Sequence, residues 1–97
     1  MPSRKRIAIL GSTGSVGVST LEVVARHPGQ FEVFALTAST RVDEMLAQCV
    51  QFKPAFAVMA SLAHGELLQQ RCAGAGLATR VLAGPEHIAA VASDERV

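Results

Sequence analysis

Three glycines spaced three apart, in Gly11-Ser12-Thr13-Gly14-Ser15-Val16-Gly17, separate a short apolar run from a stretch of helical periodicity. That position is highly constraining. A chain that leaves a buried strand and enters a helix within a few residues needs glycine where the backbone turns, and wherever another backbone comes close. Arg6-Ile-Ala-Ile-Leu10, bounded by charge and glycine, reads as a strand buried on both faces. From Ser15 to Arg26, Val16, Leu21, Val24 and Ala25 fall near one stripe. Arg26 and His27 occupy the last turn, and Pro28-Gly29 stops the helix.

The same alternation continues to the end of the chain. Phe31 to Thr37 reads as strand two, Val42 to Phe52 as a helix ended at Lys53-Pro54, and Ala55 to Met59 as strand three. Ser61 to Cys72 reads as a helix stopped by Gly74 and Gly76, and Leu77 to Ala83 as strand four. Gly84-Pro85 opens a last helix, because proline early in a helix loses no donor that was paired. Strands separated by helices pair in parallel through right-handed crossovers, since a tight turn cannot return a chain parallel to itself. The fold class is therefore α/β, a Rossmann-like parallel sheet with alternating helices, and the expected strand order is the doubly wound 3-2-1-4. Asp94-Glu-Arg-Val97 reads as the lead-in to a further strand. The chain is thus expected to be truncated after its fourth βα unit, with strand four an open edge.

Composition narrows the function. At 97 residues there is room for one small domain, in which roughly 60–70% of the unfolded surface can be buried. Apolar residues make up 49% and charged residues 18%, with a net charge of +1, which excludes disorder and a nucleic-acid electrostatic footprint. Four Phe with no Trp or Tyr leave few platforms for stacked bases. The basic cluster Arg4-Lys5-Arg6 precedes an apolar run that ends at Leu10, too short for a signal peptide core or a membrane span. Cys49 and Cys72 stand far apart without metal spacing and are read as small hydrophobes in a reducing, cytoplasmic compartment.

The chemistry is concentrated in the glycine loop. The strand-to-helix corner is where main-chain donors meet a phosphate at a helix N-terminus. Gly11 turns the chain out of the strand, Gly14 admits the backbone to a pyrophosphate, and Gly17 lets the helix lie close to the sheet; Thr13 and Ser15 add hydroxyl donors. A P-loop is unsupported, because Val18 stands where a Walker motif places Lys. An NAD site places Asp or Glu about 20 residues past the motif, on the ribose 2′-hydroxyl. Here that region reads Thr37-Ala-Ser-Thr-Arg41, with no acid before Asp43. Arg41 offers a guanidinium and Ser39 and Thr40 offer hydroxyls to a 2′-phosphate, so NADP is expected over NAD. The alternative is that Arg41 is a solvated loop charge.

Taken in order, Ile7-Ala-Ile-Leu-Gly-Ser-Thr-Gly-Ser-Val-Gly17, Ser19-Thr-Leu-Glu-Val-Val24 and Phe34-Ala-Leu-Thr-Ala38 resemble the N-terminus of the 1-deoxy-D-xylulose 5-phosphate reductoisomerase family. Gln48-Cys49, Phe52-Lys-Pro54, Ala57-Val-Met59 and Arg80-Val-Leu-Ala-Gly84 extend the resemblance over essentially the whole chain. It implies an enzyme that uses NADPH and a divalent metal, Mg or Mn, to isomerise and reduce 1-deoxy-D-xylulose 5-phosphate to 2-C-methyl-D-erythritol 4-phosphate in non-mevalonate isoprenoid synthesis. It also implies nucleotide contacts at Thr13, Gly14, Ser15 and Val16. After strand two the family often shows Gly-Lys-Asn, where this chain has Ser39-Thr40-Arg41.

On this reading residues 1–97 are the N-terminal part of an NADPH-binding domain, with the catalytic and C-terminal domains, the metal ligands and the dimer contacts outside the chain. The cofactor-binding set is Gly11, Thr13, Gly14, Ser15, Val16, Gly17, Ser39, Thr40 and Arg41. No catalytic or metal residue is assigned. The partners expected are a phosphosugar substrate and a second subunit in the full-length enzyme, with no nucleic acid and no membrane, and the piece alone is expected to be inactive. Two other readings are an NADP-dependent dehydrogenase of the aspartate-semialdehyde type and a stand-alone NADPH-sensing module.

Overall fold

The computed structural model describes residues 4–97, so Met1–Ser3 of the expected 1–97 domain lie outside the described residues. Four strands alternate with four helices: β1 Lys5–Ile9, α1 Ser15–Arg26, β2 Phe31–Ala38, α2 Val42–Phe52, β3 Phe56–Met59, α3 Leu62–Gly74, β4 Arg80–Ala83 and α4 Pro85–Ala92. The helix ends follow the local chemistry. α2 stops where Lys53 takes a left-handed conformation (φ 48°) before Pro54, which cannot continue a helix. α3 begins under Ser61, whose hydroxyl accepts from the His64 amide. Gly74 proves to be the last residue of α3 rather than its stop. The chain turns instead at Gly76, which has φ 71°.

All neighbouring strands pair in parallel, in the order β1-β2-β3-β4. This corrects the 3-2-1-4 expectation: β4 adds beside β3 and not beside β1, so β1 and β4 are both edges of the sheet among the described residues. Each of the first three crossovers steps the same way, and right-handed steps in one direction put all their helices on one face. Accordingly α1, α2 and α3 share a single core, with Leu21 and Val24, Met45 and Cys49, and Leu68 and Cys72 meeting Ile9, Leu36, Ala57 and Met59 of the sheet. The opposite face carries a smaller cluster in which Val91 and Ile88 of α4 meet Phe34, Ala35 and Val58.

The edge position of β1 also corrects its expected two-sided burial. Only Ile9 is buried, Ile7 and Ala8 are half-buried, and Leu10 is 54% exposed. Residues 94–97 form no strand: the Arg96 guanidinium lies 4.8 Å from the Phe34 ring centroid and 5.7 Å from that of Phe56. It is held there by the Asp94 carboxylate, whose pKa these bonds lower to about 2.

Met45, Met59 and Phe34 are core residues. Cys49 and Cys72 are buried and free, and their thiols neighbour one another where α2 meets α3, a proximity that their spacing of 23 positions in the chain conceals. Burial first, and the neighbouring thiol second, push the Cys49 pKa up to about 12; burial also raises that of Cys72.

Candidate functional site

The register of β1 on β2 brings the two strands to a common end. Ile9 lies opposite Leu36, so the loop that leaves β1 meets Thr37. Thr37 is 3% exposed and grips the loop twice, its Oγ1 accepting from the Gly11 amide (3.0 Å) and its carbonyl from the Ser12 amide (2.8 Å). From the helical face of the sheet, Gln48 of α2 donates through Nε2 to the Ser12 carbonyl (2.8 Å). Ser12 is fully buried against Met45. The first half of the loop is therefore tied to β2 and α2 before any ligand arrives.

The glycines divide the remaining work. Gly11 has φ 66°, a left-handed conformation that side chains disfavour. A Cβ on Gly17 would lie 2.3 Å from the Gly11 carbonyl oxygen and 2.6 Å from Ser12 Cα. Gly17 thus allows α1 to start against the backbone of its own loop, a closer partner than the sheet proposed from sequence. At Gly14 a Cβ would meet only the Gly11 oxygen, at 3.4 Å.

What the loop presents is the N-terminus of α1, which has Gly14 at its N-cap, no side-chain cap and no acidic residue in the first turn. The amides of Ser15, Val16 and Gly17 therefore have no intrahelical acceptor, and the positive end of the helix dipole is unopposed. The other helices are handled differently. α2 has Asp43 and Glu44 in its first turn, α4 has Glu86, and α3 is capped by Ser61.

Beside this terminus lies an open cleft of about 340 Å³ at the C-terminal ends of β1 and β2. Gly11, Thr13 and Gly14 line one side, and Ser39, Thr40 and Arg41 line the other. Six of the nine cofactor residues proposed from sequence are thus brought together. The other three are not in the cleft wall: Gly17 is buried beneath the loop, and Ser15 and Val16 stand on the outer side of the first turn, Val16 at 79% exposed. They can serve an anion through their amides rather than their side chains.

Arg41 reaches toward solvent and forms an exposed ion pair with Glu44 at 3.6 Å, a contact worth little in water and readily exchanged for a doubly charged phosphate. A larger groove, about 590 Å³, runs between α1 and α2, away from the strand ends and from the helix N-terminus. Among the described residues no three His, Cys, Asp or Glu side chains gather as metal ligands would. Nor is any helix long and apolar enough to cross a membrane.

Sequence reasoning missed Thr37 and Gln48 as parts of this site. Both act across contacts of 26 and 36 positions, and neither belongs to a local motif. It also missed Ile88 of α4, which lines the cleft opposite the loop.

Comparison with known proteins agrees with this geometry. Residues 7–97 match the family model described as 1-deoxy-D-xylulose 5-phosphate reductoisomerase. The reductoisomerase of Nitrosomonas europaea is 53% identical over 93 residues, covering 96% of this chain and 22% of that protein. That of Pseudomonas fluorescens Pf-5 is 50% identical over the full 97 residues, 24% of its length. A crystal structure of DOX-P reductoisomerase in complex with NADPH, fosmidomycin and magnesium superposes with a TM-score of 0.91 at 41% identity, covering 96% of this chain and 22% of that one. The chain thus spans less than a quarter of the length of the relatives it matches. These matches favour the reductoisomerase reading over the aspartate-semialdehyde type and over a stand-alone sensor.

Proposed function

The chain belongs to the 1-deoxy-D-xylulose 5-phosphate reductoisomerase family, and on that premise we propose that it is the N-terminal part of an NADPH-binding domain, with Gly11 to Gly17 on the pyrophosphate and Ser39, Thr40 and Arg41 on the 2′-phosphate. The observation that carries the proposal is the uncapped N-terminus of α1 facing Arg41 across one cleft. Two kinds of positive site, one built from amides and one from a guanidinium, suit the two phosphate groups of a single dinucleotide. When bound, NADPH supplies a hydride; the residues of this chain bind and orient its adenosine end. Thr13 and Ser15 add hydroxyls to the amides of the first turn, and Thr37 and Gln48 hold the loop so that those amides are set in advance.

The full-length protein is proposed to isomerise and reduce a 1-deoxy-D-xylulose 5-phosphate substrate, with a divalent metal whose ligands lie outside this chain. It is further proposed to work as a cytoplasmic homodimer; two free, buried thiols suit a reducing compartment. The isolated 97-residue chain is expected to bind NADPH weakly and to turn nothing over, since the second half of such a sheet normally holds the nicotinamide. The test is Arg41→Ala in the full-length protein. A charge-assisted contact is worth about 1.5–3 kcal/mol. The exposed side chain puts Arg41 at the low end, so Kd for NADPH should rise about tenfold while Kd for NADH stays near its starting value. Equal effects on the two cofactors would defeat the 2′-phosphate assignment.

A further inference from the structure

The groove between α1 and α2 takes no part in the cofactor cleft, yet two of its residues belong to that cleft's framework. Its volume of about 590 Å³ is ordinary for a small-molecule site. Leu21, buried in the main core, lines it together with Val18, Ala25 and Phe52, and Val18 stays 41% exposed. Charge is unevenly placed along these apolar walls. Glu44 lies in the first turn of α2, Glu22 midway along α1 and Arg26 in the last turn of α1. Successive crossovers of a parallel sheet run in the same direction, so both carboxylates precede the guanidinium, which shares the far end with Phe52. Glu22 makes no ion pair among the described residues, and Glu44 makes only the exposed one with Arg41 at 3.6 Å. Gln48 lines the same groove. Its Nε2 is engaged by the Ser12 carbonyl, but its Oε1 is buried with no hydrogen-bond partner.

A buried acceptor without a donor is costly, and this one stands in a wall that also carries two carboxylates. All three acceptors lack the same thing, a positively charged N–H donor, and the apolar walls beside them call for a hydrocarbon body. We infer that the groove is a second binding site, for a primary monoamine with an apolar chain. Its ammonium group takes Glu22 and Glu44 as counter-charges and donates to Gln48 Oε1, the amide rocking outward on its bond to Ser12. Its chain lies along Leu21 and Ala25 toward Phe52. From Glu44 to Phe52 α2 rises about 12 Å, room for a hexyl chain. Arg26 at the far end repels a second ammonium, so a diamine is rejected. The site is also coupled to the cofactor cleft, a consequence that rests on the cofactor reading above. Glu44 cannot serve the amine and Arg41 equally, so an amine in the groove frees the guanidinium for a 2′-phosphate. By reciprocity, a nucleotide on Arg41 tightens the amine.

The test titrates the ¹⁵N-labelled chain with hexylammonium at constant ionic strength, without nucleotide. Binding in the millimolar range is expected, with nuclear Overhauser contacts from the hexyl protons to the Val18 methyl groups and the Phe52 ring. Hexan-1-ol and 1,6-diaminohexane should both bind more weakly. Glu22→Gln and Glu44→Gln should each raise Kd about two- to fivefold, the range that partly exposed ion pairs give. Adenosine 2′,5′-bisphosphate, which carries the 2′-phosphate without the nicotinamide, reads the coupling. Saturating hexylammonium should lower its Kd about two- to fivefold in the unsubstituted chain and leave it unchanged in Glu44→Gln. Hexyl contacts elsewhere on the surface, hexan-1-ol binding as tightly as the amine, or a bisphosphate affinity that ignores the amine would each overturn the inference and leave the cofactor reading standing. A bisphosphate that does not bind at all would defeat the cofactor reading and the coupling, while the Overhauser contacts, which need neither a nucleotide nor a substitution, still decide the amine site.

Discussion

Replacing Gly17 by alanine would set a methyl group 2.3 Å from the Gly11 carbonyl oxygen, 2.6 Å from Ser12 Cα and 2.9 Å from the Ser12 carbonyl carbon. All three are backbone atoms, and ordinary contact begins near 3.4 Å, so about 1 Å of movement is required. α1 cannot easily supply it, because Leu21 and Val24 are locked in the main core. The loop cannot either without lengthening the bonds from Thr37 and Gln48. Overpacking of this kind costs about 1–3 kcal/mol, against which alanine returns up to about 1 kcal/mol of helix propensity. The net loss should be about 1–2 kcal/mol, or roughly 5–10 °C in Tm for a domain of this size. Thermal unfolding followed by circular dichroism measures it, and titration with adenosine 2′,5′-bisphosphate reads the site. The expected result is a lower Tm together with an affinity reduced several-fold more than partial unfolding accounts for. Gly74→Ala is the control: it meets nothing within 4 Å and should leave Tm unchanged or slightly raised. A Gly17→Ala protein as stable and as tight-binding as its parent would refute the claim that α1 starts against its own loop.

Two further outcomes test neighbouring steps. Thr37→Val keeps the side-chain shape but removes the acceptor for the Gly11 amide, so stability should fall by about 1–3 kcal/mol in a denaturant titration, and a loss below 0.5 kcal/mol would show the bond to be dispensable. The thiols Cys49 and Cys72, whose pKa values are raised on folding, contribute stability that is complete below the unfolded thiol value near 8.5 and is lost as pH rises toward 12. Tm should therefore decline through that alkaline window, and decline less in a Cys49→Ala, Cys72→Ala protein.

Much of this architecture was legible because it is local. α1 ends where Arg26, His27 and Pro28 said it would, α2 spans the predicted Val42–Phe52, and Pro85 opens α4. The glycine loop was legible because Gly11 and Gly17 answer to distances of a few residues along the chain. Strand order was not. Right-handed crossover fixes which face a helix covers for a given step, but no local pattern says on which side of the sheet the next strand adds, and β4 was misplaced for that reason. Thr37, Gln48 and Ile88 were invisible for a related reason: each reaches the loop or its cleft from another element distant in the chain, and their residue types are unremarkable in a strand or helix. The pairing of Cys49 with Cys72 likewise depends on the packing of α2 on α3 and not on spacing.

The central claim is that free amides at the start of α1 and the Arg41 cation form two ends of one phosphate-binding cleft. A titration of the ¹⁵N-labelled chain with NADPH tests it most directly. The largest amide shifts should fall on Gly14 to Gly17 and on Ser39 to Arg41. Shifts gathered instead along the groove between α1 and α2, with the glycine loop unmoved, would contradict the account.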